Sequence, residues 1–487
     1  MNERTIFKTL PLGVTFDDVL LVPVRSPVKS RSDVDVKTNL TKKIKLKIPF
    51  IPANMDTVTE SSMAIAVAHE GSLGIIHRFH SIEREVEEVK KVKRVEDLVL
   101  YHPVTLFPNH TLADVLFQID RYDTRSFLVV DEKNKLLGIL TSRDYQFEKN
   151  LSTKVSKMMT PVERLITATY NTTLEQAKKI LSEKRLEKLP LVYKDGTLAG
   201  LYTAKDIIYF ESKPNALRDK EGRLMVGASV GVVGDYMERA SELVKAEVDL
   251  LLVDVAHGHA DHTIDAIKVL KKKFPNVQLM GGNIATAAAA KDMIKAGVDS
   301  VKVGIGPGSV CTTRTMSGVG VPQLSAVHEV SVECSKVGIP VVADGGAKTP
   351  GDIVKALAAG ADVVMSGNMF AGTEEAPGQK IVIESKTYKV YHGSSTSETA
   401  KNRNKNGDFS KLAKHQLNYV EGAEALVPYK GFVDKMIYRT LGGITSGFSY
   451  CGAHTIQDLH KNARFIMVTP TGVKESSFHD VNFARSH

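Results

Sequence analysis

The sequence has few cysteines and lacks long apolar runs. Three cysteines, Cys311, Cys334 and Cys451, are widely spaced in 487 residues, which argues against a disulfide framework and against a zinc site. No apolar run reaches the roughly 18 residues that a membrane span requires. The amino-terminal stretch also lacks the charged head and apolar block of a secretory signal. These absences favour a cytoplasmic protein with free thiols and no membrane segment.

The sequence also lacks the motifs of two common site types. Gly304-Ile305-Gly306 is followed by Pro307 rather than completing a GxGxxG pattern, so a Rossmann cofactor domain is unsupported. The HGHADH string, residues 257–262, has three histidines but no accompanying acid or cysteine constellation, which disfavours zinc there. Any chemistry must therefore come from other residues.

The charge balance is basic but diffuse. Lysine and arginine number 64 against 56 acidic residues, a formal charge of +8, which fits a nucleic-acid partner, a membrane surface or a small anionic substrate. The lysines are scattered without interleaved aromatics, which make up 6% of the chain. We therefore expect a solvated basic surface and no dedicated nucleic-acid groove.

Eight β-type apolar runs alternate with helical segments such as RASELVKAEV and DIVKALAAGA. Hydrophobic residues are 43% of the chain and charged residues 25%, as in an ordinary globular protein. Alternating strands and helices predict a parallel sheet, and eight strands are the number that closes a (β/α)8 TIM barrel. The runs are KIPFIPAN, SLGIIHR, LMVGASVG, DLLLVDVAHG, VQLMGGN, SVKVGIG, IPVVADGG and DVVMSGN.

An insertion separates the second and third runs. About 140 residues lie between Arg78 and Arg223, and within them residues 129–144 and 191–206 align at a constant offset of 62. Such a repeat indicates a tandem module. Its LxGxxTxxD endings resemble cystathionine-β-synthase (CBS) domain pairs, which often bind adenine or guanine nucleotides; the alternative is a spacer that packs on neighbouring subunits. The predicted domains are residues 1–95 as the first part of the barrel, 96–212 as the CBS pair (96–150 and 158–210), and 213–487 as the rest of the barrel.

Two polar segments follow the last strand. Within residues 385–430, the stretch SSTSETAKNRNKNGDFSK is rich in Ser, Asn and Lys and has no apolar periodicity, which predicts a mobile flap. The tail after Pro470 is polar and is expected to be irregular.

The loop after the sixth run holds a candidate nucleophile. Barrel active sites lie where strands end and loops begin. In Gly304–Arg314, glycines at 304, 306 and 308 let the backbone approach a ligand and hold Cys311 at the mouth, beside Thr313. A thiol in such surroundings is a candidate nucleophile, whereas most isolated cysteines are inert core residues.

The loops after the seventh and eighth runs predict a nucleotide site. Gly345, Gly346 and Gly367 suit a phosphate held by backbone amides, although they could also serve only tight turns. The Asp344 carboxylate could accept both hydroxyls of a ribose. These loops suggest a nucleoside monophosphate with its base over Cys311, and Asp254, at the end of the fourth run, could hold a cofactor ribose.

Several strings together resemble one family. GIGPGSVCTTR, followed by VGVPQLSAV, with ADGG, DIVKALAAGAD, NMFAGTEE and the opening TFDDVLLVP, resembles the IMP dehydrogenase and GMP reductase family over nearly the whole chain. The resemblance implies that the Cys311 thiolate attacks purine C2 to form a covalent thioimidate, with hydride exchanged between C2 and a nicotinamide. It also implies a homotetramer, or an octamer formed by two such tetramers.

The resemblance carries over site residues position by position. Cys311 is the nucleophile, and Thr313 with Glu421 forms the proton-transfer pair. The substrate residues are Asn54, Met55, Ser309, Asp344, Gly345, Gly346, Gly367, Asn368, Tyr391, Gly393, Ser394 and Glu421. The cofactor residues are Asp254, Asn283, Gly304 and Gly306. A potassium site would use Gly306, Gly308 and Cys311 carbonyls with Glu475, Ser476 and Ser477 of a neighbouring subunit.

The flap favours one direction of the chemistry. The dehydrogenases use an Arg-Tyr pair on the flap to activate water, but here Arg403 is followed by Asn404, and Gly-Asp-Phe (407–409) stands where the pair is expected. Gly393-Ser394 also replaces the usual Gly-Met. Without that base, hydrolysis should be slow, whereas expelling ammonia needs only a Thr-Glu relay. Asn54 in ANMDT also resembles the reductases, so GMP reductase with NADPH is favoured.

Other features leave the dehydrogenase open. VTESSMAIAVAHEG, the flap length and the CBS pair resemble IMP dehydrogenases, which use NAD, and Asp408 or His415 could substitute as the base. A third hypothesis is a non-catalytic nucleotide sensor. The presence of Cys311, Thr313 and Glu421 disfavours it, since a sensor needs none of the three.

Overall fold

The chain divides into two compact units. The computed structural model describes residues 10–95, 99–101, 103–122, 124–393 and 423–476, except the side chain of residue 209. Residues 1–95 and 215–487 form one unit, here the barrel unit, and residues 96–214 form the other, the inserted unit. Within the described ranges no helix combines the length and apolar character needed to cross a membrane.

The barrel unit is built on an eight-stranded parallel sheet. With the strands numbered in chain order, hydrogen-bonded neighbours follow the order β1-β8-β7-β6-β5-β4-β3-β2. Between β1 and β2, where the sheet is open, the Ser72 hydroxyl donates a hydrogen bond to the Phe50 carbonyl at 2.7 Å. This nearly closed barrel confirms the predicted one, since each run contains one strand. The strands are β1 (Phe50–Pro52), β2 (Ile75–Ile76), β3 (Gly227–Val230), β4 (Leu250–Asp254), β5 (Gln278–Ile284), β6 (Ser300–Val303), β7 (Val341–Asp344) and β8 (Val363–Ser366).

One long helix follows each strand, and the sequence marks several helix ends. Thr349 caps α7 in a reciprocal capping box with Asp352, and Pro350 occupies the first helical turn. Gly297 ends α5 in the left-handed conformation. The helices are α1 (Ser61–His69), α2 (Ile82–Arg94), α3 (Tyr236–Lys245), α4 (Asp261–Lys273), α5 (Ala287–Ala296), α6 (Gln323–Ser335), α7 (Pro350–Ala358) and α8 (Val433–Tyr450).

The strands are buried on both faces, which explains their continuous apolar runs. In β4, Leu250 and Leu252 belong to the cluster inside the barrel, with Ile51, Met280 and Met365. Leu251 and Val253 alternate with them and face the cluster shared with the helices. The barrel interior is therefore a packed core, and ligands can enter only at its ends.

Smaller elements surround the barrel. Val19–Leu21 pairs antiparallel with Phe465–Met467, and Thr38–Asn39 pairs with Lys45–Leu46. A three-stranded sheet follows β8, with strands Lys380–Ile383, Lys386–His392 and Glu424–Pro428. Among the residues that the structure describes in this unit, the remaining helices are Phe16–Asp18 and Arg31–Asp33 (both 3-10), Thr313–Ser317, Asn368–Ala371, Ile456–Asn462 and Pro470–Glu475.

Two predictions from the sequence concern this part of the chain. The expected flap lies mostly at residues 394–422, outside the described residues, while 386–392 and 424–428 at its edges are paired strands. The start of the tail, expected to be irregular, is instead a helix, because Thr469 accepts a hydrogen bond from Gly472 N and Pro470 occupies the first turn.

The inserted unit is an internal repeat. Helix Leu112–Tyr122, strands Phe127–Val130 and Leu136–Leu140, and helix Ser142–Tyr145 recur as Leu174–Lys184, Lys188–Val192, Leu198–Thr203 and Ala204–Ser212. Each copy belongs to a four-stranded sheet. The described part of this unit also contains the short elements Val99–Leu100, Thr105–Leu106, Val155–Met158, Thr160–Pro161, Val162–Arg164 and Ala168–Thr169.

Candidate active site

A charged network lies at the carboxyl ends of the barrel strands. Asp254 ends β4 and Asp344 ends β7, and Lys302 of β6 reaches both, with Nζ 3.0 Å from Asp254 Oδ1 and 2.8 Å from Asp344 Oδ2. The Asn283 amide donates to Asp344 Oδ2 at 2.9 Å and to the Gly304 carbonyl at 2.8 Å. Both carboxylates are therefore fixed at the mouth by donors from the strands between them, β5 and β6.

Asn54 extends this network to the loop after β1. Its side-chain amide donates to Asp254 Oδ2 and to Ser229 Oγ, both at 3.0 Å. The Ser229 hydroxyl in turn donates to the Ile76 carbonyl at 2.9 Å. An amide at residue 54 thus links β1, β3 and β4.

Cys311 lies at the same mouth, partly exposed. Its Sγ is 3.2 Å from the Thr313 hydroxyl, and its backbone N–H donates to the Gly308 carbonyl at 3.1 Å. The other two thiols are buried, and burial raises the pKa of Cys334 to about 12 and also raises the pKa of Cys451. Cys311 is therefore the cysteine that is placed to react.

Glycines bring the Cys311 loop against the Asp344 loop. Gly304 has φ +151, and a side chain there would collide with the Asp344 carbonyl oxygen. Gly345 has φ +89, and a Cβ there would lie 3.2 Å from Gly308 N. Such conformations and close approaches favour glycine, so the loops after β6 and β7 form one surface.

Tyr391 and Met55 complete this side of the mouth. The Tyr391 hydroxyl packs against Gly367 and is 4.0 Å from Met55 Sδ. Burial, with the nearby Asp344 and Cys311, raises the pKa of Tyr391, which keeps the phenol a neutral hydrogen-bond donor. The loops after β1 and β8 therefore meet those after β6 and β7.

The chain enters and leaves residues 394–422 beside Cys311. The Gly393 N–H donates to the Ala423 carbonyl at 3.2 Å, and the Ala423 N–H donates to the Val310 carbonyl at 2.9 Å. Val310 directly precedes Cys311. Four candidate functional residues lie outside the described residues at this point: Ser394, Asp408, His415 and Glu421.

Other predicted residues have weaker geometric support. Ser309 is exposed in the Cys311 loop, and the carbonyl of Asn368 accepts a hydrogen bond from Lys430 Nζ at 2.6 Å. Glu475 and Ser476 lie exposed at the end of helix Pro470–Glu475, and Ser477 is outside the described residues. Gly346 has φ +85 beside Phe16 and Pro307.

Sequence reasoning missed two residues that organise the site. Lys302 is a charged residue inside the otherwise apolar strand SVKV, and that interruption was an available signal. Gln323, the first residue of α6, donates to the Val303 carbonyl at 2.8 Å and to the Asp344 carbonyl at 3.1 Å. No sequence pattern distinguishes Gln323 from an ordinary helix residue.

A histidine cluster near the mouth has a structural explanation. Among the described residues, Glu60, His77 and His80 form a group with metal-ligand geometry. His77 Nδ1 accepts a hydrogen bond from Phe79 N at 3.2 Å, so in the neutral ring the proton is on Nε2, which faces Glu60 Oε1 at 3.6 Å. His80 Nε2 lies 3.0 Å from the same Glu60 oxygen, within hydrogen-bond distance, so polar contacts among its own members account for the cluster. In HGHADH, His259 pairs with Asp292 at 3.0 Å.

Solved structures similar to this chain cover it almost completely. A cysteine-to-alanine variant of GMP reductase from Trypanosoma brucei, in complex with guanosine 5'-monophosphate, superposes with a TM-score of 0.90 at 39% identity, over 97% of this chain and 99% of that chain. GMP reductase from Trypanosoma brucei in complex with guanosine 5'-triphosphate gives a TM-score of 0.80 at 37% identity, over 95% of this chain and 99% of that chain.

Curated relatives with higher sequence identity to this chain are named as dehydrogenases rather than reductases. An inosine-5'-monophosphate dehydrogenase from Halalkalibacterium halodurans is 46% identical over 473 residues, 97% of both chains. The enzyme of the same name from Nitrosopumilus maritimus is 47% identical over 475 residues, 96% of this chain and 98% of its own.

The family match extends through both units. The IMP dehydrogenase / GMP reductase domain matches residues 13–479. Members of this family are NAD(P)-dependent oxidoreductases of purine metabolism that act on purine nucleotides. The barrel and its extensive similarity to both groups of relatives lead to one conclusion: the chain belongs to the IMP dehydrogenase / GMP reductase family.

Proposed function

We propose that this chain is a GMP reductase, converting GMP, NADPH and two protons to IMP, NADP and ammonium. The choice of GMP reduction over IMP oxidation rests on the lack of an Arg-Tyr pair in residues 394–422, where Arg403 is followed by Asn404. The structural similarity to a GMP reductase over nearly the whole chain supports the proposal.

Cys311 is the proposed nucleophile. Its sulfur bonds to purine C2, and the bond from C2 to the amino group breaks, so that ammonia leaves and a thioimidate remains. The Thr313 hydroxyl, 3.2 Å from the sulfur, is placed to pass protons during this exchange. Glu421 is its proposed partner. Only Gly422 separates it in sequence from Ala423, whose N–H is bonded to the Cys311 loop.

The nucleotide is proposed to span the loops after β6, β7 and β8. Asp344 accepts the ribose hydroxyls, and backbone amides at Gly345, Gly346, Gly367 and Asn368, with Ser309, hold the phosphate. The Tyr391 hydroxyl, kept neutral by burial, is proposed to donate a hydrogen bond to the nucleotide from the same side. Met55 lines the mouth 4.0 Å from that hydroxyl, and Asn54, Gly393, Ser394 and Glu421 are the remaining proposed contacts.

Asp254 and Asn283, with Gly304 and Gly306, are the proposed cofactor residues. A carboxylate and an amide on the neighbouring strands β4 and β5 suit the ribose hydroxyls and the carboxamide of a nicotinamide dinucleotide. When bound, NADPH supplies the hydride that reduces C2, and the thiolate then leaves.

IMP dehydrogenase is the second candidate function. It is favoured by the relatives of that name, which are 46% and 47% identical over nearly the whole chain. It would use NAD and hydrolyse the same thioimidate to XMP. Asp408 or His415 would then have to activate the water.

One assay separates the two functions. Absorbance at 340 nm is followed with GMP and NADPH, and separately with IMP, NAD and potassium. We expect absorbance to fall in the first reaction, with ammonium released in equal amount. An increase in absorbance in the second reaction, with no decrease in the first, would refute the proposal of a reductase.

The inserted unit is proposed to be a CBS pair that binds adenine or guanine nucleotides. It contains a cavity of about 560 Å³ whose lining includes Lys188, Thr203 and Asp206, the last two from the LxGxxTxxD ending. The structure of a relative in complex with guanosine 5'-triphosphate supports a nucleotide effector. Calorimetric titration with ATP and GTP tests this, using Asp206→Ala as the non-binding variant.

A bound potassium ion and a tetrameric assembly are also proposed. Backbone carbonyls of Gly306, Gly308 and Cys311 are hard oxygen donors of the kind that replace the hydration shell of potassium. In this chain Gly308 O also accepts from Cys311 N. Glu475, Ser476 and Ser477 would come from a neighbouring subunit, so the site would require an oligomer, proposed to be a homotetramer or an octamer of two paired tetramers.

A further inference from the structure

Lys302 is buried at the centre of the mouth network. Its side chain is 4% exposed, and its ammonium lies 3.0 Å from Asp254 Oδ1 and 2.8 Å from Asp344 Oδ2. A lysine is rarely buried so fully without partners. Here it has one partner from each of two strands.

The charges of this network persist in the folded protein. Burial alone would lower the pKa of Lys302, but attraction by Asp254 and Asp344 outweighs it, so the pKa is raised. Burial would likewise raise the pKa of Asp254, but Lys302 and Arg78 hold it below its usual value. One cation therefore stands between two carboxylates that would otherwise repel each other.

The two carboxylates belong to different ligands under the proposed function. Asp344 is assigned to the nucleotide ribose and is also held by Asn283 at 2.9 Å. Asp254 is assigned to the cofactor and is also held by Asn54 at 3.0 Å. The contacts Asp254–Lys302–Asp344 thus join the carboxylate assigned to the cofactor to the one assigned to the nucleotide.

We propose that Lys302 is a positioning residue that aims both carboxylates at the mouth and thereby couples nucleotide binding to cofactor binding. This inference rests on the proposed assignments of Asp344 and Asp254 but holds for either direction of the reaction. Without the ammonium, the Asp254 charge would disturb Asp344, and the nucleotide would lose its ribose contact.

The test measures nucleotide affinity by calorimetry with GMP and with IMP. Lys302→Met in the full-length chain should weaken the affinity by about ten- to a hundredfold. Adding Asp254→Asn to Lys302→Met should restore most of that affinity, because it removes the repelling charge while leaving Asp344 in place. A merely structural role for Lys302 instead predicts lower thermal stability in the single variant, with wild-type nucleotide affinity in the folded fraction.

Lys271→Met is the matched control. Lys271 also pairs with an aspartate, Asp299, at 2.6 Å, but Asp299 precedes β6, at the opposite end of that strand from the mouth. This variant should leave nucleotide affinity unchanged. If Lys302→Met does not fold, the comparison is made between Lys302→Gln and its Asp254→Asn double variant.

Wild-type affinity in Lys302→Met, or no rescue in the double variant, would overturn the inference. The measurement needs no turnover, so a failure to oxidise NADPH would overturn the proposed direction without affecting this result. Absence of nucleotide binding to the wild-type chain would overturn both.

Discussion

At the scale of single residues, the three thiols are expected to differ sharply in reactivity. Cys311 is partly exposed beside Thr313, whereas burial raises the pKa of Cys334 to about 12 and raises the pKa of Cys451. Because the thiolate is the reactive form, the buried thiols should resist alkylation in the folded protein.

We therefore predict that iodoacetamide modifies Cys311 first and that GMP or IMP protects it. Peptide mass spectrometry at short times gives the order of modification. Cys334→Ala is the control and should leave the rate of inactivation unchanged. Faster modification of Cys334 or Cys451 in the folded chain would contradict this placement.

The site residues differ in how far the sequence could predict them. Two of them, Asp254 and Asp344, are the last residues of their strands, and Cys311 lies in the loop after another strand. Because parallel strands end at one edge of the sheet, the sequence could predict that these residues lie close together. The roles of Lys302 and Gln323 depend on distances across the barrel, from β6 to β4 and from α6 to β7, which a local pattern does not encode.

At the scale of elements, the contact between the loops after β6 and β7 depends on Gly304. We predict that Gly304→Ala destabilises the protein by at least about 1–3 kcal/mol, because φ is +151 and the new Cβ would meet the Asp344 carbonyl. Thermal unfolding with and without nucleotide measures the effect. Gly442→Ala, at an exposed site of α8 with no atom near its Cβ, is the control and should stabilise by up to about 1 kcal/mol. Equal effects of the two substitutions would show that the loop contact is unimportant.

The start of α1 is tied to the end of β2 through Glu60. Burial alone would raise the pKa of Glu60, but the imidazoles of His77, 3.6 Å away, and His80, 3.0 Å away, outweigh it and hold the pKa well below the ordinary 4.5. A carboxylate whose pKa is lowered by folding adds stability at pH values above its pKa in the unfolded chain. That stability is lost as the pH falls towards its pKa in the folded protein.

Glu60→Gln should therefore lower the free energy of unfolding at pH 7 by about 1–3 kcal/mol. Its deficit relative to wild type should shrink as the pH falls below about 4.5, the model-peptide range. Urea titrations at several pH values measure this. Glu87→Gln, at an exposed pair on α2, should change little. A deficit that stays constant with pH would contradict the account.

At the scale of the whole molecule, the two units have separate cores. The barrel unit packs its helices against the strands, whereas the described part of the inserted unit has three smaller clusters, which include Phe127, Leu128 and Leu189 respectively. The alternating pattern predicted the barrel, and the offset of 62 predicted the repeat. The sequence did not reveal that Val99–Leu100, before the first repeat, pairs with the sheet of the second, because strand exchange leaves no periodic signal.

Replacing residues 96–214 with a short Gly-Ser linker should leave a folded barrel. We predict unchanged turnover without effectors and loss of any response to ATP or GTP, since the barrel has its own core and mouth. Steady-state rates at 340 nm with and without these nucleotides measure this. Loss of folding in the shortened chain would show that the units depend on each other.

The central claim is that Cys311 bonds covalently to the purine nucleotide. The most direct measurement is acid quenching of the full-length chain during turnover with radiolabelled GMP and NADPH, or with radiolabelled IMP and NAD, followed by peptide mapping. The account predicts label on the Cys311 peptide in at least one of these reactions and none with Cys311→Ala. Turnover with no label on that peptide, or label on another residue, would contradict it.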